Sequence, residues 1–96
     1  FKGGEKELNA RMFSDEHNKI MLSYLVPGAS IGMHQHTENS EIIYFIKGEA
    51  TIIFNNVKTK YRAGECHYCP AGCSHTMINE SDENIEFFAV VPNHFC

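Results

Sequence analysis

The sequence predicts an all-β domain, a small antiparallel barrel or sandwich, and three observations lead there. Short runs rich in β-branched and aromatic residues follow one another at even spacing, Gly, Pro, Asn and Asp separate them, and no long helical period interrupts them. The expected strands are 8–13, 19–26, 31–36, 41–47, 50–55, 57–62, 65–69, 75–79 and 85–91. Residues 15–18 read as the hairpin loop between the first two. Asn55-Asn56 reads as a tight type I′ turn, because asparagine tolerates positive φ. Pro27-Gly28 and Pro70-Ala71-Gly72 break strands where the chain must turn.

The strand 41–47 carries an apolar run, Ile42-Ile43-Tyr44-Phe45-Ile46. A strand with one wet face alternates; this one is expected to be covered on both faces. In a chain of 96 residues, read as one domain over 1–96, the second cover is expected from another copy, giving a homodimer. Domains of this size bury only about 60% of the surface the unfolded chain exposes, so a partner or a bound ion would reinforce the core.

Composition narrows the function classes. The net charge is −4, and the basic residues are scattered, so nucleic acid is not an expected partner. No apolar run approaches the roughly 18 residues of a membrane span, and no signal-like segment opens the sequence. Cys66, Cys69 and Cys73 crowd together and would close only tiny loops, which reads as a reducing cytoplasm rather than a disulfide framework. Cys66 and Cys69 are three apart on a strand, point to opposite faces and cannot grip one ion. These cysteines are expected to be small buried residues, with Cys73 close to His75.

The chemistry concentrates in two stretches. His34 and His36 are two apart, so on a strand both project to one face. A polar loop, Thr37-Glu38-Asn39-Ser40, brings Glu41 to the start of the next strand, and His75 opens a later strand after a Pro-x-Gly turn. Three imidazoles and a carboxylate suit one divalent ion: Fe, Mn, Ni, Zn or Co. A six-coordinate ion held this way keeps open positions for a ligand. Glu38 competes with Glu41 and is expected to face solvent in the loop.

Written out, the stretches are G-x5-H-x-H-x4-E-x6-G from Gly28 to Gly48 and G-x5-P-x-G-x2-H-x3-N from Gly64 to Asn79. They resemble both signature motifs of the cupin superfamily, with every defining position filled. The resemblance implies a compact antiparallel β-barrel (a double-stranded β-helix, or jelly roll) with a metal ion inside. It also implies ligand roles for His34, His36, Glu41 and His75, turn roles for Gly28, Gly48, Gly64, Pro70 and Gly72, and a structural role for Asn79.

Alternation along the strands places Ile43, Phe45, Met77 and Phe87 inside, and Tyr24 and Met33 are further candidates for the pocket wall. Neither His67 nor Tyr68 is expected to turn inward, and no separate general base stands out. Only two arginines are present, Arg11 and Arg62, neither near the motifs, so no paired anchor for a dicarboxylate is visible. The expected function is metal-dependent action on a small organic molecule, of dioxygenase, isomerase or lyase/decarboxylase type. The alternative is a non-catalytic module that binds a small ligand or uses the ion for stability.

Overall fold

The computed structural model describes residues 8–35 and 38–93, with side chains placed for 11–31 and 38–93. Nine strands follow one another: β1 (Leu8–Ser14), β2 (Asn18–Leu25), β3 (Ser30–Gln35), β4 (Glu41–Lys47), β5 (Glu49–Phe54), β6 (Val57–Arg62), β7 (Cys66–Cys69), β8 (Ser74–Ile78) and β9 (Ile85–Pro92). Each coincides with an expected strand to within one residue at either end. The strands form a five-stranded sheet, β1-β2-β9-β4-β7, and a four-stranded sheet, β3-β8-β5-β6, and all pairings are antiparallel. Among the described residues no helix is long and apolar enough to cross a membrane.

Turn chemistry fixes the corners. Asp15 accepts hydrogen bonds from the backbone N–H groups of His17 (2.9 Å) and Asn18 (2.8 Å), closing the β1–β2 loop as an Asx turn. Asn55 and Asn56 sit at φ 52° and 62°, the positive values a type I′ hairpin requires. Gly48, at φ +89°, disfavours any side chain on two counts: a Cβ there would also lie 2.6 Å from the carbonyl oxygen of Asn84.

Asn79 ties one end of the barrel together. Its side chain is wholly buried and donates to the carbonyls of Leu25 (2.8 Å) and Glu83 (2.7 Å). Its Oδ1 accepts from the Ser81 backbone N–H (3.0 Å) and hydroxyl (2.6 Å). Its backbone accepts from Gly28 N–H (2.8 Å) and donates to Ala29 (2.9 Å). The last position of the second motif is thus a structural clasp, satisfying buried carbonyls that the β2–β3 corner would otherwise leave unpaired.

The core lies between the sheets and is built from Met21, Leu25, Ile31, Ile43, Phe45, Ile52, Met77, Ile85, Phe87 and their small neighbours Ala29, Ala50 and Ala89. Within the chain, β4 is covered on one face only. Ile43 and Phe45 are buried, whereas Ile42, Tyr44 and Ile46 stay more than 40% exposed on the outer face of the five-stranded sheet. Tyr24, expected at the pocket wall, is also exposed there. On β2 the inward positions are Met21, Ser23 and Leu25, and strict alternation sends Tyr24 outward.

Candidate metal centre

The site is assembled across the gap between the sheets. Glu41 opens β4 in the five-stranded sheet, and His75 lies on β8 in the four-stranded one. Both side chains are buried, and Glu41 Oε1 lies 2.8 Å from His75 Nε2. The β3–β8 register places His34 directly opposite His75, after a bulge between Ile31 and His34. The side chains of His34 and Met33, and all of His36, lie outside the described residues. The structure therefore brings together two of the four expected ligands and sets the backbone of a third beside them. Among the described residues no group of three or more His, Cys, Asp or Glu donors surrounds a common point.

His67 corrects the sequence reading. It turns inward and is 3% exposed, while its neighbour Tyr68 points out at 56%. The cause is pairing: β7 runs against β4 with Cys69 opposite Glu41 and His67 opposite Ile43, so Cys69 and His67 share the inward face with the site carboxylate. The same alternation leaves Cys66 exposed and only Cys69 buried, so the expectation of buried cysteines holds for Cys69 and fails for Cys66.

The inward turn creates a continuous polar line. Tyr61 Oη lies 3.2 Å from His67 Nδ1, and His67 Nε2 lies 3.0 Å from His75 Nδ1. His75 Nε2 then meets Glu41, so the line steps from β6 to β7 to β8 to β4, crossing between the sheets at each step. The two imidazoles stack, with ring centroids 5.2 Å apart and planes at 26°. Phe54 and Tyr61 present edges to His67 at 5.4 Å, and Phe45 stacks on Tyr61. Burial, reinforced by the neighbouring His75 and opposed by Glu41, lowers the pKa of His67 to about 4, so the ring is neutral near pH 7. Burial likewise raises the Cys69 thiol to about 11, with Cys73 and Glu41 adding to the shift.

Ile43, Phe45, Met77 and Phe87 are all buried in the core behind this line. The described arginines and lysines face solvent, including Arg62, which pairs with Glu49 at 3.3 Å.

Two antiparallel sheets closed into a barrel, with histidine and carboxylate donors meeting between them, define a double-stranded β-helix protein with an internal polar centre. The comparisons agree: residues 21–91 match the family model of the cupin domain, and the chain belongs to the cupin family. An oxalate-binding protein of Thermotoga maritima is 34% identical over 94% of this chain and 79% of its own length. The crystal structure of a predicted oxalate decarboxylase from Thermotoga maritima superposes with a TM-score of 0.90 at 26% identity, covering 96% of this chain and 85% of that one. A sugar phosphate isomerase of Silicibacter pomeroyi gives 0.75 at 25% identity, over 81% of this chain and 52% of its own.

Proposed function

We propose that this cupin holds one divalent metal ion on His34, His36, Glu41 and His75, and that the ion captures a small carboxylate of the oxalate class. The observation that carries the reading is the buried meeting of Glu41 Oε1 and His75 Nε2 at 2.8 Å, on the two motif positions that sit in separate sheets. A carboxylate and a neutral imidazole nitrogen, converging in a buried place, fit a divalent ion of the Mn–Zn series. When bound, the ion would supply Lewis acidity and open positions for ligand oxygens. The resemblance to an oxalate-binding protein supports the ligand class.

The same reading explains how a dicarboxylate could be held where no arginine reaches. Among the described residues every cation faces solvent, so charge neutralisation falls to the metal. Two adjacent carboxylates on a two-carbon acid can both approach one ion, and the apolar core behind it limits the ligand to something small.

Binding is favoured over turnover by the use already made of the interior groups. Among the described residues the buried titratable side chains are Glu41, His67, Cys69 and His75. Glu41 and His75 are assigned to the metal, His67 is hydrogen-bonded at both ring nitrogens, and the Cys69 thiol is held protonated. Each is thus already engaged by a neighbour or by the proposed ion. Calorimetric titration of oxalate into manganese-loaded and metal-stripped protein tests the reading: saturable binding in the loaded form alone supports it, and heat of equal size in both forms overturns it. Release of formate and carbon dioxide in the same mixture would move the assignment from binding module to decarboxylase.

The outer face of the five-stranded sheet supports a second proposal, that the protein pairs with a copy of itself. Cross-strand register lines up Phe13, Ile20, Val90, Ile42 and Tyr68 in one row, and Leu22, Phe88 and Tyr44 in the next. An apolar face of this continuity is unusual on an isolated domain, and a two-fold interface needs only one self-complementary patch.

A further inference from the structure

Metal-bound histidines need their second ring nitrogen held, because a ligand that donates electrons from Nε2 carries its proton on Nδ1 and must hand that proton to an acceptor. In this protein the group facing Nδ1 of His75 is another histidine, and behind that one stands a tyrosine. We infer that His67 is the positioning residue of His75, with Tyr61 as its backstop, and that the pair fixes the tautomer in which His75 can serve as a ligand. The inference rests on the metal reading above.

The hydrogen-bond directions follow from counting protons. With a metal on His75 Nε2, Nδ1–H donates to His67 Nε2 across 3.0 Å. A His67 ring that accepts at Nε2 carries its proton on Nδ1, where it donates to Tyr61 Oη across 3.2 Å. Tyr61 is only partly buried, and in this arrangement its own hydroxyl proton is directed away from His67. Without metal, His75 Nε2–H donates to Glu41, and the remaining bonds run the opposite way: Tyr61 O–H to His67 Nδ1, and His67 Nε2–H to His75 Nδ1. The two arrangements differ in which nitrogen of each imidazole carries the shared proton, and an ion on His75 selects the first.

Packing makes His67 fit to hold a neighbour rather than to meet a ligand. It stacks on His75 at 5.2 Å and is gripped edge-on by Phe54 and Tyr61 at 5.4 Å, so neither ring can swing away without opening the core. Phe45 in turn holds Tyr61 by stacking at 5.4 Å.

The test combines cobalt affinity, by competition with a chromophoric chelator, with 15N spectra of the histidines in zinc-loaded protein. His67→Phe keeps the ring and removes the acceptor; the expected result is a 10- to 100-fold loss of cobalt affinity, on the order seen for such supporting groups. His67→Gln, whose amide oxygen can accept from Nδ1–H, should recover most of that loss, and Tyr61→Phe should weaken binding by only a few-fold. Zinc-loaded wild type should show the proton of His75 on Nδ1 and that of His67 on Nδ1. Unchanged cobalt affinity in folded His67→Phe, or a proton on His67 Nε2 in the zinc form, overturns the positioning role while leaving the metal site standing. Should His67→Phe fail to fold, the tautomers of the wild type and the Tyr61→Phe affinity decide alone. If wild type takes up neither cobalt nor zinc, the metal reading falls and the positioning role falls with it.

Discussion

His67 and His75 lie ring over ring, 5.2 Å between centroids, with Nε2 of the first 3.0 Å from Nδ1 of the second. The two residues come from neighbouring strands in sequence, β7 and β8, that belong to opposite sheets. Whatever orients one ring is therefore felt directly by the other, at a contact that bridges the two sheets.

Glu41→Gln keeps the shape of the side chain and removes its charge. The purified variant is expected to carry well under half an ion per chain where wild type carries about one, and elemental analysis by mass spectrometry reads the difference. Far-ultraviolet circular dichroism should be unchanged, because the amide can still accept from His75 Nε2–H.

Two glycines with the same backbone angle should respond differently to alanine. Gly48 and Gly64 sit at φ +89° and +90°, but a Cβ meets the Asn84 carbonyl at 2.6 Å in the first and nothing within 4 Å in the second. Gly64→Ala should cost about 1 kcal/mol for the left-handed conformation alone. Gly48→Ala should cost about 3 kcal/mol, since strain and the backbone clash add. Thermal melts should separate the two variants by roughly 8–16 °C.

Alkylation should sort the cysteines by burial and acidity. The thiolate is the reactive form. Cys69 is buried and its pKa is raised to about 11, so only a small fraction is thiolate from pH 7 to 9 and its labelling by iodoacetamide should stay slow throughout that range, climbing about tenfold per pH unit without levelling off. Cys66 is exposed and should label at least about tenfold faster at pH 8. Peptide mapping after timed quenching gives both rates, and brief exposure to denaturant should abolish the contrast.

Tyr44 ends the second of the outer apolar rows, 43% exposed and flanked by Phe88 across the strand pair. Tyr44→Lys should convert a dimer to a monomer without changing the fold, as read by light scattering after size exclusion. A wild-type mass of one chain at micromolar concentration would refute the pairing.

Much of the barrel is legible in the sequence because each strand is short and ends on a residue with turn chemistry. The Asn55-Asn56 hairpin is an example: two residues set both φ angles and the register of β5 against β6. Inward and outward faces are harder to read where both are apolar. On β2 the outward Leu22 and Tyr24 are more hydrophobic than the inward Ser23, so Tyr24 looked like a wall residue and is not. The inward turn of His67 is hard to read for a related reason. On a four-residue strand, parity is decided by which residue pairs with Glu41, and that is a long-range property of β4 and β7. The spacing of Glu41 and His75 within their motifs, by contrast, is local and marked both residues as a pair, which the structure places 2.8 Å apart.

The β2–β9 pairing carries a further consequence for synthesis. β2 (Asn18–Leu25) takes its second neighbour from β9 (Ile85–Pro92), and β9 is also the neighbour of β4, which brings Glu41. During translation, β2 and β4 wait with open edges until some sixty residues beyond β2 have left the ribosome. The larger sheet closes late and across a long loop, which is slow and exposes sticky edges meanwhile. Glu41 on β4 and His75 on β8 meet only once both sheets have formed, so an ion held there as proposed would be taken up after that closure rather than during it.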